Sequence, residues 1–142
     1  MSQRYAGRLR RLRRMMPALR TEIAQKVIAV EAEKFHSENF RKQGYQGAGF
    51  QPWKNRKDGD SSRAVLIETG RLRRAATRGR RMSQGVVFVL PKYGKVHNDG
   101  LRAGRGAGFK MPKRQFVGAS PILKSRFKKK ATAIINRRLS QI

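Results

Sequence analysis

His97 and Asp99, with Asn98 between them, are spaced like a metal half-site or the edge of a small-nuclease centre. Metal-assisted hydrolysis normally draws on about three protein ligands plus an open position, and one imidazole with one carboxylate falls short of that. The other histidine, His36, has no ligand type four residues away and is expected on a helix surface among polar neighbours. Gly104, Gly106 and Gly108 alternate, yet no Gly-Lys-Ser/Thr follows them, so they read as a flexible loop rather than a phosphate cradle. The chain has no cysteine, which excludes disulfides, thiolate metal sites and a cysteine nucleophile. No catalytic residue, metal ligand or cofactor is therefore expected.

The basic residues point elsewhere. Against 35 Lys and Arg stand 8 Asp and Glu, a net charge of +27 in 142 residues. The acids all lie between Glu22 and Asp99, so both ends of the chain are purely basic. Arg4, Arg8, Arg10, Arg11, Arg13 and Arg14 form a run at the start, Arg102 and Arg105 stand in the glycine-rich stretch, and Lys128 and Lys129 lie near the end. Clusters of one sign are the footprint of phosphate neutralisation or of an acidic protein partner, whereas a merely soluble face mixes signs. These residues are the expected polyanion or partner contacts. Base-specific reading has no support, because no helix-turn-helix, zinc-finger or aromatic RNP pattern is present.

The elements that must position these groups follow from periodicity. Leu12, Met16, Leu19, Ile23, Val27 and Val30 recur at helical spacing, and with Pro17 in a first turn the spacing predicts a helix from about residue 17 to 40. Residues 1–15 are expected to form a basic arm that orders only on assembly. Phe50, Pro52 and Trp53 read as a loop returning aromatic rings to the core, and Asn55 to Arg63 as a polar surface loop. Thr69 is the expected N-cap of a short helix through Leu72 to Thr77. Gly85 to Leu90 is the best strand, Arg114 to Val117 a second, and further strands are expected within 73–84 and 105–117. Ser120 and Pro121 open a C-terminal helix with Leu123, Phe127, Ile134 and Leu139 on its apolar stripe. The expected fold is α+β: a small, mostly antiparallel sheet packed by a long N-terminal and a C-terminal helix. Residues 16–142 make one domain with a flexible Gly/Arg loop at 99–113. No run approaches the about 20 apolar residues of a membrane span, so no membrane partner is expected.

Several elements in order carry a resemblance. Phe40 and Trp53 precede Leu66-Ile67-Glu68-Thr69-Gly70-Arg71-Leu72; Tyr93, His97 and Gly100 follow, then Met111-Pro112-Lys113-Arg114-Gln115-Phe116-Val117-Gly118. From about Phe35 to Leu139 the chain resembles the phage virion morphogenesis family, the tail-completion and head-to-tail joining proteins of tailed bacteriophages. The resemblance implies a structural virion protein, assembled in the host cytoplasm, that forms a ring, commonly a hexamer, between the connector or neck and the tail tube. It implies structural roles for Trp53, Thr69, Gly70, Leu72, Tyr93, His97, Gly100, Pro112, Arg114, Phe116 and Gly118. Contact of the basic residues with the genomic DNA backbone is compatible with that position. The alternative is a nucleic-acid-binding basic protein, ribosomal-like or packaging-associated; a nuclease built on His97 and Asp99 is a third reading.

Overall fold

The computed structural model describes residues 3–142. Its spine is one long helix in three parts: α1 (Gln3–Ile23), a π-turn (Ala24–Ile28) and α2 (Ala29–Lys42). The helix starts well before Pro17, because Arg, Leu, Met and Ala are strong helix formers and the turns that follow already supply the nucleus. Pro17 therefore lies inside the helix. The residues read as an arm are helical from Gln3 onward, and Met1 and Ser2 lie outside the described residues. The π-turn adds a residue to one turn and rotates the following face by about 100°. The buried face accordingly runs through Ala24, Val27, Glu31, Phe35 and Asn39, while Val30 is only partly buried.

The helix ends at Gln43, which adopts a left-handed conformation (φ 55°). Its side-chain amide donates to the Phe40 carbonyl at 2.8 Å and its side-chain oxygen accepts from the Val65 amide at 2.6 Å. One glutamine thus caps the helix and anchors the loop that returns to it.

The β-structure is wholly antiparallel and distributed over three two-stranded ribbons: β1 (Gly44–Gln46) with β2 (Phe50–Pro52), β3 (Arg80–Met82) with β4 (Gly85–Val87), and β5 (Arg102–Ala103) with β6 (Phe109–Lys110). Between them lie α3 (Arg71–Thr77) and α4 (Lys92–Asp99), and α5 (Pro121–Leu139) closes the chain. The architecture is α+β with a long N-terminal and a C-terminal helix. β4 is shorter than the expected strand to Leu90, because Phe88 and Leu90 leave the ribbon to pack on His36 and the core. The glycine-rich stretch 99–113 carries the β5–β6 ribbon, its turn held by Arg102 donating to the Ala107 carbonyl at 2.9 Å.

Two apolar clusters fill the molecule. Phe40, Trp53, Leu72, Ala76 and Phe116 form one, with Phe40 5.4 Å from the rings of both Trp53 and Phe116. Phe35, Tyr45 and Leu123 form the other, with Phe127 against it, and seat α5 on the long helix. Ser120 caps α5 as expected, accepting from the Leu123 amide at 3.4 Å ahead of Pro121. Alongside the apolar seam Arg126 binds both oxygens of Glu38 (3.2 and 2.9 Å), Lys130 meets Glu31, and Arg138 meets Glu22 at 2.8 Å. The three pairs run in opposite sequence order along the two helices, which fixes α5 antiparallel to the spine.

Arg114 to Val117, expected as a strand, is not one: no ribbon includes it. Its buried backbone is bonded to side chains instead of a ladder. Asn39 donates to the Phe116 carbonyl at 3.1 Å, Trp53 Nε1 to the Gln115 carbonyl at 2.7 Å, and Tyr45 to the Ala119 carbonyl at 2.7 Å. The Asn98 side-chain oxygen accepts from the Phe116 and Val117 amides, both at 3.0 Å.

His36 corrects the surface expectation. It is 5% exposed, its Nδ1 lies 2.7 Å from the Ala76 carbonyl, and Phe88 packs on its ring at 4.6 Å. A carbonyl can only accept, so Nδ1 carries the proton. The polar neighbours Lys34 and Ser37 misled; Ala32 and Phe40, four residues to either side, share its buried face.

Asn98→Ala should cost about 2 kcal/mol or more, since it strands two backbone donors, and urea denaturation will measure it; a loss below about 0.5 kcal/mol would show that the segment is held by other means. Burial holds His36 below its ordinary value of 6.5, so the unfolded chain takes up protons first as pH falls through that value. Stability should be full above about pH 6.5 and decline below it. His36→Gln should flatten part of that decline in melts at pH 7.5 and 5.5, with His97, also held low by burial, supplying the remainder.

Candidate functional site

The residues carrying the resemblance converge. Trp53, Leu72 and Phe116 belong to one apolar cluster. Gly70, at φ 74°, occupies the N-cap position of α3 that was expected of Thr69. Thr69 stands one residue earlier, its hydroxyl accepting from the Arg71 amide at 3.3 Å. The left-handed Gly70 places the chain where Arg74 can reach back to the Thr69 carbonyl at 3.3 Å.

Tyr93 and His97 share one face of α4, ring centroids 6.4 Å apart, as their spacing implies. Gly100 ends α4 at φ 67°, and a Cβ there would lie 2.9 Å from that of Lys113, so glycine alone lets the 111–114 strand of chain pass. That approach lets the Arg114 amide donate to the His97 carbonyl at 2.8 Å and the Met111 amide to the Leu101 carbonyl at 3.0 Å. Pro112 lies between them, half-buried, and Gly118 continues the segment toward Ser120.

Arg114 is 6% exposed. Its guanidinium donates from Nε to the Lys54 carbonyl at 2.8 Å and from Nη2 to the Asn55 carbonyl at 3.0 Å. The fork therefore clamps the chain just after Trp53, with no carboxylate paired to it among the described residues.

Asp99 is engaged away from His97: it pairs with Lys95 at 3.3 Å and accepts from Asn98 at 2.9 Å. Among the described residues no three His, Asp or Glu cluster as metal ligands, and no helix is long and apolar enough to cross a membrane.

The basic residues are arranged by what neutralises them. Glu22, Glu31, Glu33 and Glu38, all on the long helix, pair with Arg138, Lys130, Arg81 and Arg126. Among the described residues Arg4, Arg8, Arg10, Arg11, Arg13 and Arg14 enter no ion pair, and α1 buries only Leu19. Lys128 and Lys129 are exposed on α5, and Arg105 stands at the tip of the β5–β6 ribbon. Arg71 and Arg73 on α3, Arg78 just after it and Arg80 on β3 are also exposed, and sequence reading did not single them out. Their signal is six Arg within residues 71–81, interrupted by apolar and glycine positions. Asn98 was missed because nothing adjacent marks it as the partner of a segment 18 residues on.

The model of the phage virion morphogenesis family matches residues 2–134, nearly the whole chain. The chain belongs to this family. No curated protein and no solved structure matches it. Membership in the phage virion morphogenesis family gives the protein a structural role in building the bacteriophage virion. The family match spans all the elements described above, from the helical Arg run to the middle of α5. In this phage morphogenesis protein Trp53, Leu72 and Phe116 pack with Phe40 of the spine, and Arg114 ties the central segment to the chain after Trp53.

Arg114→Lys keeps the charge but removes the two-pronged clamp, and should destabilise the fold by about 2 kcal/mol. Equilibrium urea unfolding checks this; an unchanged midpoint would show that the 54–55 carbonyls do not need the fork.

Proposed function

We propose that this protein is a tail-completion or neck subunit that joins the tail to the head connector, acting as a non-catalytic component of a homo-oligomeric ring, with six copies as the family resemblance implies. The family match over residues 2–134 carries this reading. The structure supports it in two ways. The polar networks described above serve the framework, and the Arg run of α1, a helix that buries a single residue, enters no ion pair among the described residues.

A helix that carries Arg4, Arg8, Arg10, Arg11, Arg13 and Arg14 in its first turns is suited to insertion between negatively charged neighbours. In a ring around the DNA channel those neighbours are acidic adjoining rings or the genomic DNA backbone. Either would offset the self-repulsion of +27 per copy. A second reading, a basic protein that binds nucleic acid directly, rests on the same surface. Its mark is tight binding of free DNA by the monomer with a steep salt dependence.

Replacing Arg10, Arg11, Arg13 and Arg14 by Gln should leave the melting temperature within about 3 °C of the parent while cutting the yield of joined particles, scored by electron microscopy of complemented lysates. A phage carrying an early stop codon in this gene should give filled heads beside separate tails, or tails of abnormal length. Intact joined particles from the stop mutant would overturn the joining role and favour nucleic-acid binding.

A further inference from the structure

Between α3, α4 and the loop after Trp53 lies a pocket of about 390 Å³. Arg56, Arg63, Arg71 and Arg114 bring positive charge to it and Glu68 one carboxylate, His97 adds an imidazole that burial keeps neutral, and Val65, Leu66, Ile67 and Leu72 form an apolar wall. Two polar atoms here, Arg56 Nη1 and His97 Nδ1, are shut off from solvent and have no hydrogen-bond partner among the described residues. The nearest acid to Arg56, Asp60, stops at 3.9 Å, beyond hydrogen-bonding reach. Glu68 pairs with Arg63 at 3.4 Å but is largely in solvent. Leu66, on the wall, holds a left-handed backbone (φ 63°) that a branched residue adopts only at a cost.

The basic groups repel one another. Burial, and then the charge of Arg56, lower the proton affinity of Arg114; burial, and then the charge of Arg114, lower that of His97. A fold that gathers four guanidinium groups around a cavity and leaves Arg56 Nη1 and the neighbouring His97 Nδ1 unpartnered is arranged for an anion that arrives later.

We propose that this pocket receives a carboxylate on an apolar stem, an acidic side chain presented by a neighbouring protein chain in the assembled virion. Every cationic residue of the lining is Arg and none is Lys, which suits planar, two-pronged recognition of a carboxylate. The Arg114 guanidinium, held by the Lys54 and Asn55 carbonyls, offers the pocket a fixed charge rather than a free fork, so little freedom is lost there on binding. The apolar wall gives an aliphatic stem a surface to cover, and a phosphodiester, flanked by sugars, offers no such stem. The site is independent of which virion interface the protein occupies, and its test uses the free chain.

The test follows arginine side-chain and histidine ring signals of the labelled full-length protein by NMR during addition of sodium butyrate, with butyramide and sodium phosphate at matched ionic strength as comparisons. Butyrate should give saturable shifts at His97 and Arg114 while butyramide gives none. Arg71→Gln, whose native side chain is exposed and has no protein partner among the described residues, should fold normally and weaken butyrate binding about tenfold. Arg56→Gln should abolish saturation. Shifts no larger than those of the ionic-strength comparison, or unchanged butyrate binding by Arg71→Gln, would overturn the proposal. Saturation by phosphate at concentrations about tenfold below butyrate would also overturn it, and assign the pocket to a phosphate group.

Discussion

The segment from Lys113 to Ser120 must cross the middle of the molecule without a strand partner, and the rest of the structure is arranged around that constraint. Buried backbone groups left unpaired cost as much as lost hydrogen bonds. Here a different element supplies each partner: Asn39 from the spine, Tyr45 from β1, Trp53 after β2 and Asn98 from α4. In return the segment places Phe116 in the main apolar cluster and Ser120 at the start of α5. Ser120 also donates to the Gln46 carbonyl at 2.7 Å, so the cap of the last helix is itself tied to the first ribbon. Elements far apart in sequence are thereby joined through one irregular strand of chain, with α5 aligned by the Leu123 and Phe127 seam and three ion pairs.

How far this was legible in the sequence depends on the kind of interaction. Periodicity predicts the helix through Leu19 to Phe40, and the Ser120-Pro121 pair predicts the start of α5, because both signals are local. The short helix before Thr77 and the Trp53 return to the core were legible for the same reason. Arg114 to Val117 has strand composition, yet its fate was decided by Asn39 and Asn98, whose amides match the backbone pattern at sequence separations of 77, 18 and 19. His36 failed similarly: the Ala76 carbonyl that accepts its proton is 40 residues away. The π-turn between Ile23 and Ala29 has no signature in its residues, and it moves the buried face from Val30 toward Glu31.

The candidate sites divide along the same line. A run such as Arg4 to Arg14 can be read directly, since consecutive residues carry the charge. The pocket around Arg56, Arg63, Arg71, His97 and Arg114 could not, because its members lie on a loop, a helix start, a second helix and the central segment. The resemblance motif did contain Arg114 and His97. What it could not show is that Arg114 uses two donors on backbone carbonyls while its charge still reaches His97.

The distribution of acids constrains how such a chain can associate. The carboxylates of the long helix are spent inside the fold, on α5 and β3, and Asp99 is taken by Lys95 and Asn98. Charge complementarity between identical copies therefore has only Asp58, Asp60 and Glu68 to draw on, and Asp60 and Glu68 already lie near Arg56 and Arg63. A symmetric assembly of this protein must be held by apolar and polar contacts, for which Tyr5, Leu9, Val89 and Leu139 supply exposed apolar surface. On the proposed ring reading, the positive charge of each copy is balanced from outside. Attachment to negatively charged neighbours then favours closure, since each added copy raises the repulsion that those neighbours, together with counterions, relieve.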